Sequence, residues 1–425
     1  MSLNRLRWLI LGLLCASTVI NYIDRLALAV LLPQLRQELG ITSAQYGEIT
    51  TAFMVAYTLA QVAGGMVIDR LGTRTGFLLF VAAWSLAASG HALASSATSL
   101  LFLRFLLGLS EAGNWPAGGK AIAEWFPQHR RAFAMGVFDG GSALGAILAQ
   151  PVVAMLALRF GWRSAFLLTG ALGFVWVAGW WVVYRRPEAH PWLSESDRQI
   201  VGAEARPASN AARRGLFADL KPMVRSRQLW ALMLTRLLAT PVWWFYAFWL
   251  PDLLAREHGF SLKEIGLFGW IPFLTVDLGK LGGGALSDRL LASGYSATWA
   301  RKSVMALGAL CMISAIQVNT AQSAAVALGW ISVATFGFGL WSANILALHA
   351  DIFSSRSMAT AVGCTGTAAS LGGAIFTFLT GRIVQVSGYA TMFWITAAVT
   401  AMALMSLIFA LGKVQPVRLA EVTEQ

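Results

Sequence analysis

The feature that most constrains this chain is a succession of apolar runs, each near the ~20 residues that a helix needs to cross a bilayer. They are predicted at 7–33, 44–68, 75–94, 98–124, 132–157, 162–184, 228–255, 262–287, 300–319, 323–350, 357–383 and 388–411. Hydrocarbon offers no partner to backbone N–H and C=O groups, so such runs must pair their own backbone as helices. The expected fold is an all-α membrane protein of twelve transmembrane helices covered by lipid. Composition agrees. The 425 residues are 57% hydrophobic and only 12% charged, against about 25% charged in a soluble domain. So few charges cannot clothe a water-facing surface. The 41 glycines and 18 tryptophans suit close helix approach and the membrane interface.

The formal net charge of +12 is spread over alternate loops and forms no single patch, which argues against nucleic acid as a partner. One set of loops carries Arg70, Arg74, Arg130, Arg131, Arg289, Arg301, Lys302 and Arg356. The one long polar segment, 185–227, adds Arg185, Arg186, Arg213, Arg214, Lys221, Arg225 and Arg227. In the opposite set, 95–98 and 319–323 hold no basic residue, and 157–163 holds Arg159 and Arg163. The basic side is therefore expected to be cytoplasmic, with both termini on it, in the cell (inner or plasma) membrane. Ser194 before Glu195 and Asp197 can start a short surface helix. Cys15, Cys311 and Cys364 lie in separate apolar segments and suggest neither a disulfide framework nor a metal site. The first apolar segment lacks a small-residue cleavage site and reads as a retained helix.

The two halves repeat. GVFDGGSALGAI at 136–147 aligns with GCTGTAASLGGA at 363–374, matching Gly136 with Gly363, Leu144 with Leu371 and Gly145 with Gly372. GWRSAF at 161–166 pairs with GYATMF at 388–393, and GMVIDR at 65–70 with GALSDR at 284–289. Order and sidedness are the same in both copies, so the repeats are parallel. Such repeats make two six-helix bundles with a site near the midplane. The expected domains are 1–184, a cytoplasmic linker at 185–227, and 228–425.

Ionisable residues inside apolar runs cost at least about 2.5–3.5 kcal/mol each and mark function by default. Two pairs stand out: Asp24 with Arg25 in the first run, and Arg104 with Glu111 in the fourth. Arg104 and Glu111 are two helical turns apart, about 10 Å along the axis, too far for a simple ion pair. Each needs another partner, and the first-run pair is the obvious one. Gly108 between them admits another backbone or leaves space. An acid held between burial, which favours its neutral form, and a guanidinium, which favours its anion, exchanges protons as its surroundings change. The alternative is a buried network that only sets helix register. Lys120 can snorkel to the interface or serve transport. Asp277 has Lys280 one turn away as a local partner. His349, near Asp351, reads as structural or gating. No Walker loop, metal-ligand cluster or nucleophile triad is present, so neither an ATP-driven machine nor an enzyme is indicated.

GMVIDRLGTR, Gly65 to Arg74, fits the G-x-x-x-D-R-x-G-x-R loop of the major facilitator superfamily, placed between the second and third runs as in that family. Physically it reads as a latch. Gly65 and Gly72 allow tight packing and a sharp turn. Asp69 can meet a helix dipole or an arginine from the next helix. Arg70 and Arg74 can tie cytoplasmic helix ends. Asp288 and Arg289 are the partial second copy.

The chain further resembles the anion:cation symporter branch, and within it the hexuronate and sugar-acid (galactonate, glucarate-type) transporters. INYIDR at 20–25, RFLLGLSEAGNWP at 104–116, EWFP at 124–127, HPWLS at 190–194, PVWWFYAFWLPDLL at 241–254, HGFSLKEIGLFGWIPF at 258–273 and WSANILALHADIF at 341–353 carry the resemblance. It implies proton uptake at Asp24 and Glu111, coupled by Arg104. It implies a substrate carboxylate on Arg25, with Tyr57 and Asn21 in the same site. At the helix 5 position where relatives often show an amide, Asp139, Ser142 and Gln150 remain open. Most aromatics of the 241–254 run are expected to pack against helices or lipid, one or two of Trp243, Trp244 and Tyr246 can close over a sugar ring, and Pro241 can break their helix. Trp341, Asn344, Thr365 and Ser370 are candidate hydroxyl readers. The resemblance implies a carrier that imports a small organic anion with protons as the coupling ion; a monomer with no cofactor is expected. The alternatives are an exchanger or facilitator for another carboxylate (aldonate, aldarate or aromatic acid) and a sensor that binds without transport. The absence of the G-P-x-x-G-G antiporter pattern from helix 5 favours symport.

Overall fold

The computed structural model describes residues 2–205, 223–353 and 358–415, except for the side chains of 62, 132, 202–205 and 359. Arg213, Arg214, Lys221 and Arg356 of the basic loops lie outside these residues. Among the described residues every regular element is helical. The spans are α1 (Leu3–Leu39), α2 (Ser43–Leu71), α3 (Thr73–Gly90) and α4, which runs over Ala97–Glu111 and resumes over Asn114–Trp125. The next helix, Gln128–Val183, is split at Gly161 into α5 (128–160) and α6 (162–183). After the linker come α7 (Arg227–His258), α8 (Leu262–Phe268, then Ile271–Ala292), α9 (Ala297–Ile313) and α10 (Ala324–Ile352). Met358–Met405 is split at Gly388 into α11 (358–387) and α12 (389–405). Among the described residues eight helices, or nine with the bent α2, are long and apolar enough to span a membrane as single units. Counting the splits at Gly161 and Gly388 and the interrupted α4, they account for the twelve predicted spans. Most overrun the apolar runs, because polar turns at their ends continue the helix.

Local sequence sets these limits. Thr42 and Gln45, Ser96 and Ser99, and Ser261 and Glu264 form reciprocal capping boxes at the starts of α2, α4 and α8, satisfying orphan N–H groups. Gly161 (φ 80°, ψ 161°) and Gly388 (φ 69°, ψ −174°) take conformations open almost only to glycine. They are the aligned first residues of GWRSAF and GYATMF, so the repeat places the same break in both halves. The surface helix after Ser194 spans Glu195–Ala205, and the Ser194 hydroxyl accepts from the Asp197 N–H at 3.2 Å.

Two compact units emerge: Met1–Ala212 with Ser261–Trp270, and Arg213–Phe260 with Ile271–Gln425. In the first, α1 packs on α5 and α2 on α4. A Cβ on Gly145 would come 2.6 Å from the Val19 carbonyl oxygen, and one on Gly108 would strike that of Phe53. In the second, α7 packs on α11 and α8 on α10. A Cβ on Gly372 would strike the Leu237 carbonyl oxygen, and one on Gly339 that of Val276. Gly145 and Gly372, aligned by the repeat, thus do the same work in each unit. Gly136 and Gly363, equally aligned, have nothing within 4 Å of such a Cβ.

Pro241 does not break α7, which runs as one helix from Arg227 to His258. The proline leaves the Leu237 carbonyl without its helical donor, and Gly372 of α11 packs against that oxygen. Close support from α11 keeps the helix continuous there.

Candidate functional site

The first unit gathers the intramembrane charges. Residues 24 and 25 lie about 100° apart around α1, so their side chains leave on different faces. Arg25 is buried and donates from Nε to Glu111 Oε2 at 2.9 Å, with Nη2 2.8 Å from the same oxygen. Nη2 also donates to Asn21 Oδ1, one turn earlier, at 3.0 Å. The rings of Tyr22, Phe53 and Tyr57 surround the guanidinium at 4.7, 5.2 and 5.0 Å. Such contacts stabilise a desolvated cation by about 2 kcal/mol. Arg104 Nη1 donates to the Arg25 backbone carbonyl at 2.8 Å. Neither Arg104 nor Glu111 pairs with the other; each turns to α1, as their spacing requires.

Asp24 takes another direction. It is buried, neither oxygen makes a hydrogen bond, and the Thr169 hydroxyl of α6 is the nearby polar group. Arg104 Nε and Nη2, Glu111 Oε1 and Asn21 Nδ2 are likewise buried without a hydrogen-bond partner. The cluster therefore contains both a closed ion pair and several open positions. Below it, Ser17 Oγ donates to Asn114 Oδ1 and Asn114 Nδ2 to Thr18 Oγ1, both at 3.2 Å. These bonds tie α1 to the resumed part of α4. Among the helix 5 alternatives, Gln150 is buried with both amide atoms unpaired, beside Gly269 at the interruption of α8.

The aromatic candidates of α7 are largely committed to packing. Trp243 stacks on Phe338 with centroids at 5.7 Å, and Trp244 on Phe248 at 5.3 Å. Tyr246 is buried with its hydroxyl unpaired. Trp341 and Asn344 are also buried, and Asn344 Nδ2 donates to the Gly283 and Leu340 carbonyls at 3.2 and 2.9 Å. Asn344 thereby pins α8 to α10, leaving its Oδ1 unpaired. Ser370 is half-buried. Thr365 is bonded to His349 Nε2 and accepts from Arg236. Arg236 is absent from the sequence-based candidates, although a lone cation inside span 228–255 meets the criterion that singles out Arg25.

At the loop expected to act as a latch, Asp69 pairs with Lys120 of α4 at 2.7 Å and not with an arginine. Gly72 makes the turn at φ 78°. Arg74 donates to the Trp181 carbonyl at 2.6 Å and stacks on that indole at 4.0 Å. Gly65 packs near Pro116, and Arg70 is exposed with no protein partner among the described residues. In the second copy, Arg301 of α9 bridges Asp288 and Asp351, both at 3.1 Å, while Arg289 is exposed. The arginine from the next helix is thus found in the second copy only. Asp277 and Lys280 form their local pair at 2.9 Å. No metal-binding group of His, Cys, Asp or Glu occurs among the described residues.

Paired charges buried among membrane helices suit a membrane transporter, and the family match and the relatives give that class and not an enzyme. Residues 14–377 match the Major Facilitator Superfamily, and the chain belongs to that family. It is 34% identical over 395 residues to the hexuronate transporter of Escherichia coli (strain K12), covering 92% of this chain and 91% of that one. It is 39% identical to the galacturonate transporter of Dickeya chrysanthemi over 76% of this chain and 94% of that one. With the D-galactonate transporter of Escherichia coli O6:H1 it shares 29% identity over 97% of both. Among solved structures, an inward-facing, unoccupied bacterial homologue of the human lysosomal transporter Spinster matches at TM-score 0.75 and 21% identity, covering 96% of this chain and 95% of that one.

Proposed function

We propose that this protein is a proton-coupled symporter that imports a hexuronate or related sugar acid by alternating access. The observation that carries the reading is the Arg25–Glu111 clasp beside the open atoms of Asp24, Asn21 and Arg104. The three sugar-acid relatives support the substrate class. Protonation of Glu111 releases Arg25, whose guanidinium then meets the substrate carboxylate in a two-point fork. Protonation of Asp24 cancels its attraction for Arg104, which donates to the Arg25 carbonyl, so the second acid acts on the same helix junction through the second arginine. Proton loss on the cytoplasmic side lets Glu111 reclaim Arg25 and expel the anion. Asp69, Lys120, Arg74 and the Asp288–Arg301–Asp351 bridge act as cytoplasmic latches. The carrier works as a monomer in the cell membrane, with both termini cytoplasmic and no cofactor.

Uptake of D-galacturonate into proteoliposomes tests this. Accumulation should rise when the outside is acidified and vanish when the gradient is collapsed. Accumulation indifferent to the gradient rejects proton coupling, and counterflow without accumulation assigns an exchanger instead.

A further inference from the structure

Arg236 is a membrane-embedded cation that the reading above does not use. It lies in the first third of α7, inside the apolar run 228–255, and is half-buried. Its one protein bond among the described residues is from Nη1 to Thr365 Oγ1 of α11 at 3.1 Å, and no carboxylate pairs with it. Its other guanidinium nitrogens are not sealed off. A guanidinium at this depth with no counter-charge is costly unless an anion visits it.

The groups behind it hold it in place. His349 is fully buried on α10 and donates from Nδ1 to the Ile345 carbonyl at 2.7 Å. A carbonyl only accepts, so this bond fixes the proton on Nδ1 and leaves Nε2 as the acceptor in neutral imidazole. Nε2 lies 2.8 Å from Thr365 Oγ1. The chain of donors then runs from Arg236 through Thr365 to His349 and the Ile345 carbonyl. Every inner member is satisfied, and the unspent donors are at the guanidinium. Gly372, where α11 meets the Leu237 carbonyl, brings the two helices close enough for this chain.

We infer that Arg236, positioned by Thr365 and His349, is a carboxylate-binding subsite in the second unit, open while Glu111 holds Arg25. For the identity of the carboxylate, the inference rests on the sugar-acid reading; for the subsite itself it does not. A fork of paired N–H donors suits a planar carboxylate.

The full-length protein in nanodiscs tests it by thermal shift and equilibrium binding at fixed ionic strength. The probes are D-galacturonate, sodium acetate, and methyl galactoside as the uncharged control. Wild type should be stabilised by D-galacturonate and, at higher concentration, by acetate, but not by the glycoside. Arg236→Gln should weaken carboxylate binding about ten- to a hundredfold. Arg236→Lys, which keeps charge but not the fork, should fall between. Thr365→Val should lose less than Arg236→Gln. Ligand-free melting of each variant separates a folding defect from a binding one, and Arg236→Lys keeps the test decisive if Arg236→Gln does not fold. Unchanged D-galacturonate affinity in a folded Arg236 variant overturns the subsite. If acetate alone stabilises wild type and loses its effect in Arg236→Gln, the subsite stands and the sugar-acid reading falls. If neither carboxylate stabilises wild type, both fall.

Discussion

Arg25 and Glu111 are buried together, and each is the other's main charge partner. Removing one member of such a pair leaves the other uncompensated, at a cost of about 3–5 kcal/mol. Glu111→Gln should therefore lower the thermal unfolding midpoint sharply, and adding Arg25→Gln should recover much of the loss. A double variant no more stable than Glu111→Gln would deny the coupling. Asp24→Asn should leave D-galacturonate counterflow intact while removing its gradient-driven accumulation; an unchanged response to pH gradient would take Asp24 out of proton coupling. That these charges lie buried within helices was legible in the sequence, because charge in an apolar run is conspicuous. Their partners were not. A linear spacing shows that Arg104 cannot reach Glu111, but not that Arg104 bonds a backbone carbonyl or that Phe53 and Tyr22 join Tyr57 around Arg25. Lys120 as the mate of Asp69 was equally hidden, since fifty residues of chain separate them.

Helices here are held apart or together by single glycines. Gly372→Ala puts a methyl against the Leu237 carbonyl and should cost about 1–3 kcal/mol as overpacking. Gly363→Ala, at an aligned glycine with open space around it, should stay within about 0.5 kcal/mol. Equal melting points for the two would refute this account of α7–α11 packing. Gly161→Ala should be destabilising by about 1–3 kcal/mol through backbone strain alone. The repeat in sequence showed where such positions pair, but not which of them touch a neighbour. Pro241 makes the same point from the other side: its local preference for a break yields to support from α11.

At the scale of the molecule, the segment that follows α6 packs within the first unit through His190. Its Nε2 donates to the Val183 carbonyl at 3.0 Å, its Nδ1 accepts from the Trp192 N–H at 3.3 Å, and Trp125 packs edge-on at 5.4 Å. Burial, helped by Arg185 and Arg198, pushes the His190 imidazole below its usual value of 6.5. Protonation therefore opposes this packing: the stabilisation is complete above about pH 6.5 and is lost as pH falls towards the lowered value. Hydrogen exchange across 190–201 should rise on acidification in wild type and lose that pH dependence in His190→Gln. The exposed Asp69–Lys120 pair contributes about 0–1 kcal/mol, so Lys120→Met should alter transport rate more than melting temperature. The sequence by itself determined the class of the molecule, because twelve apolar runs with few charges have one stable answer in lipid, and a parallel repeat orders them. Only the tertiary structure decided which charge answers which. Partner choice depends on distances of a few ångströms between helices remote in the chain, and hydropathy carries no information on that scale.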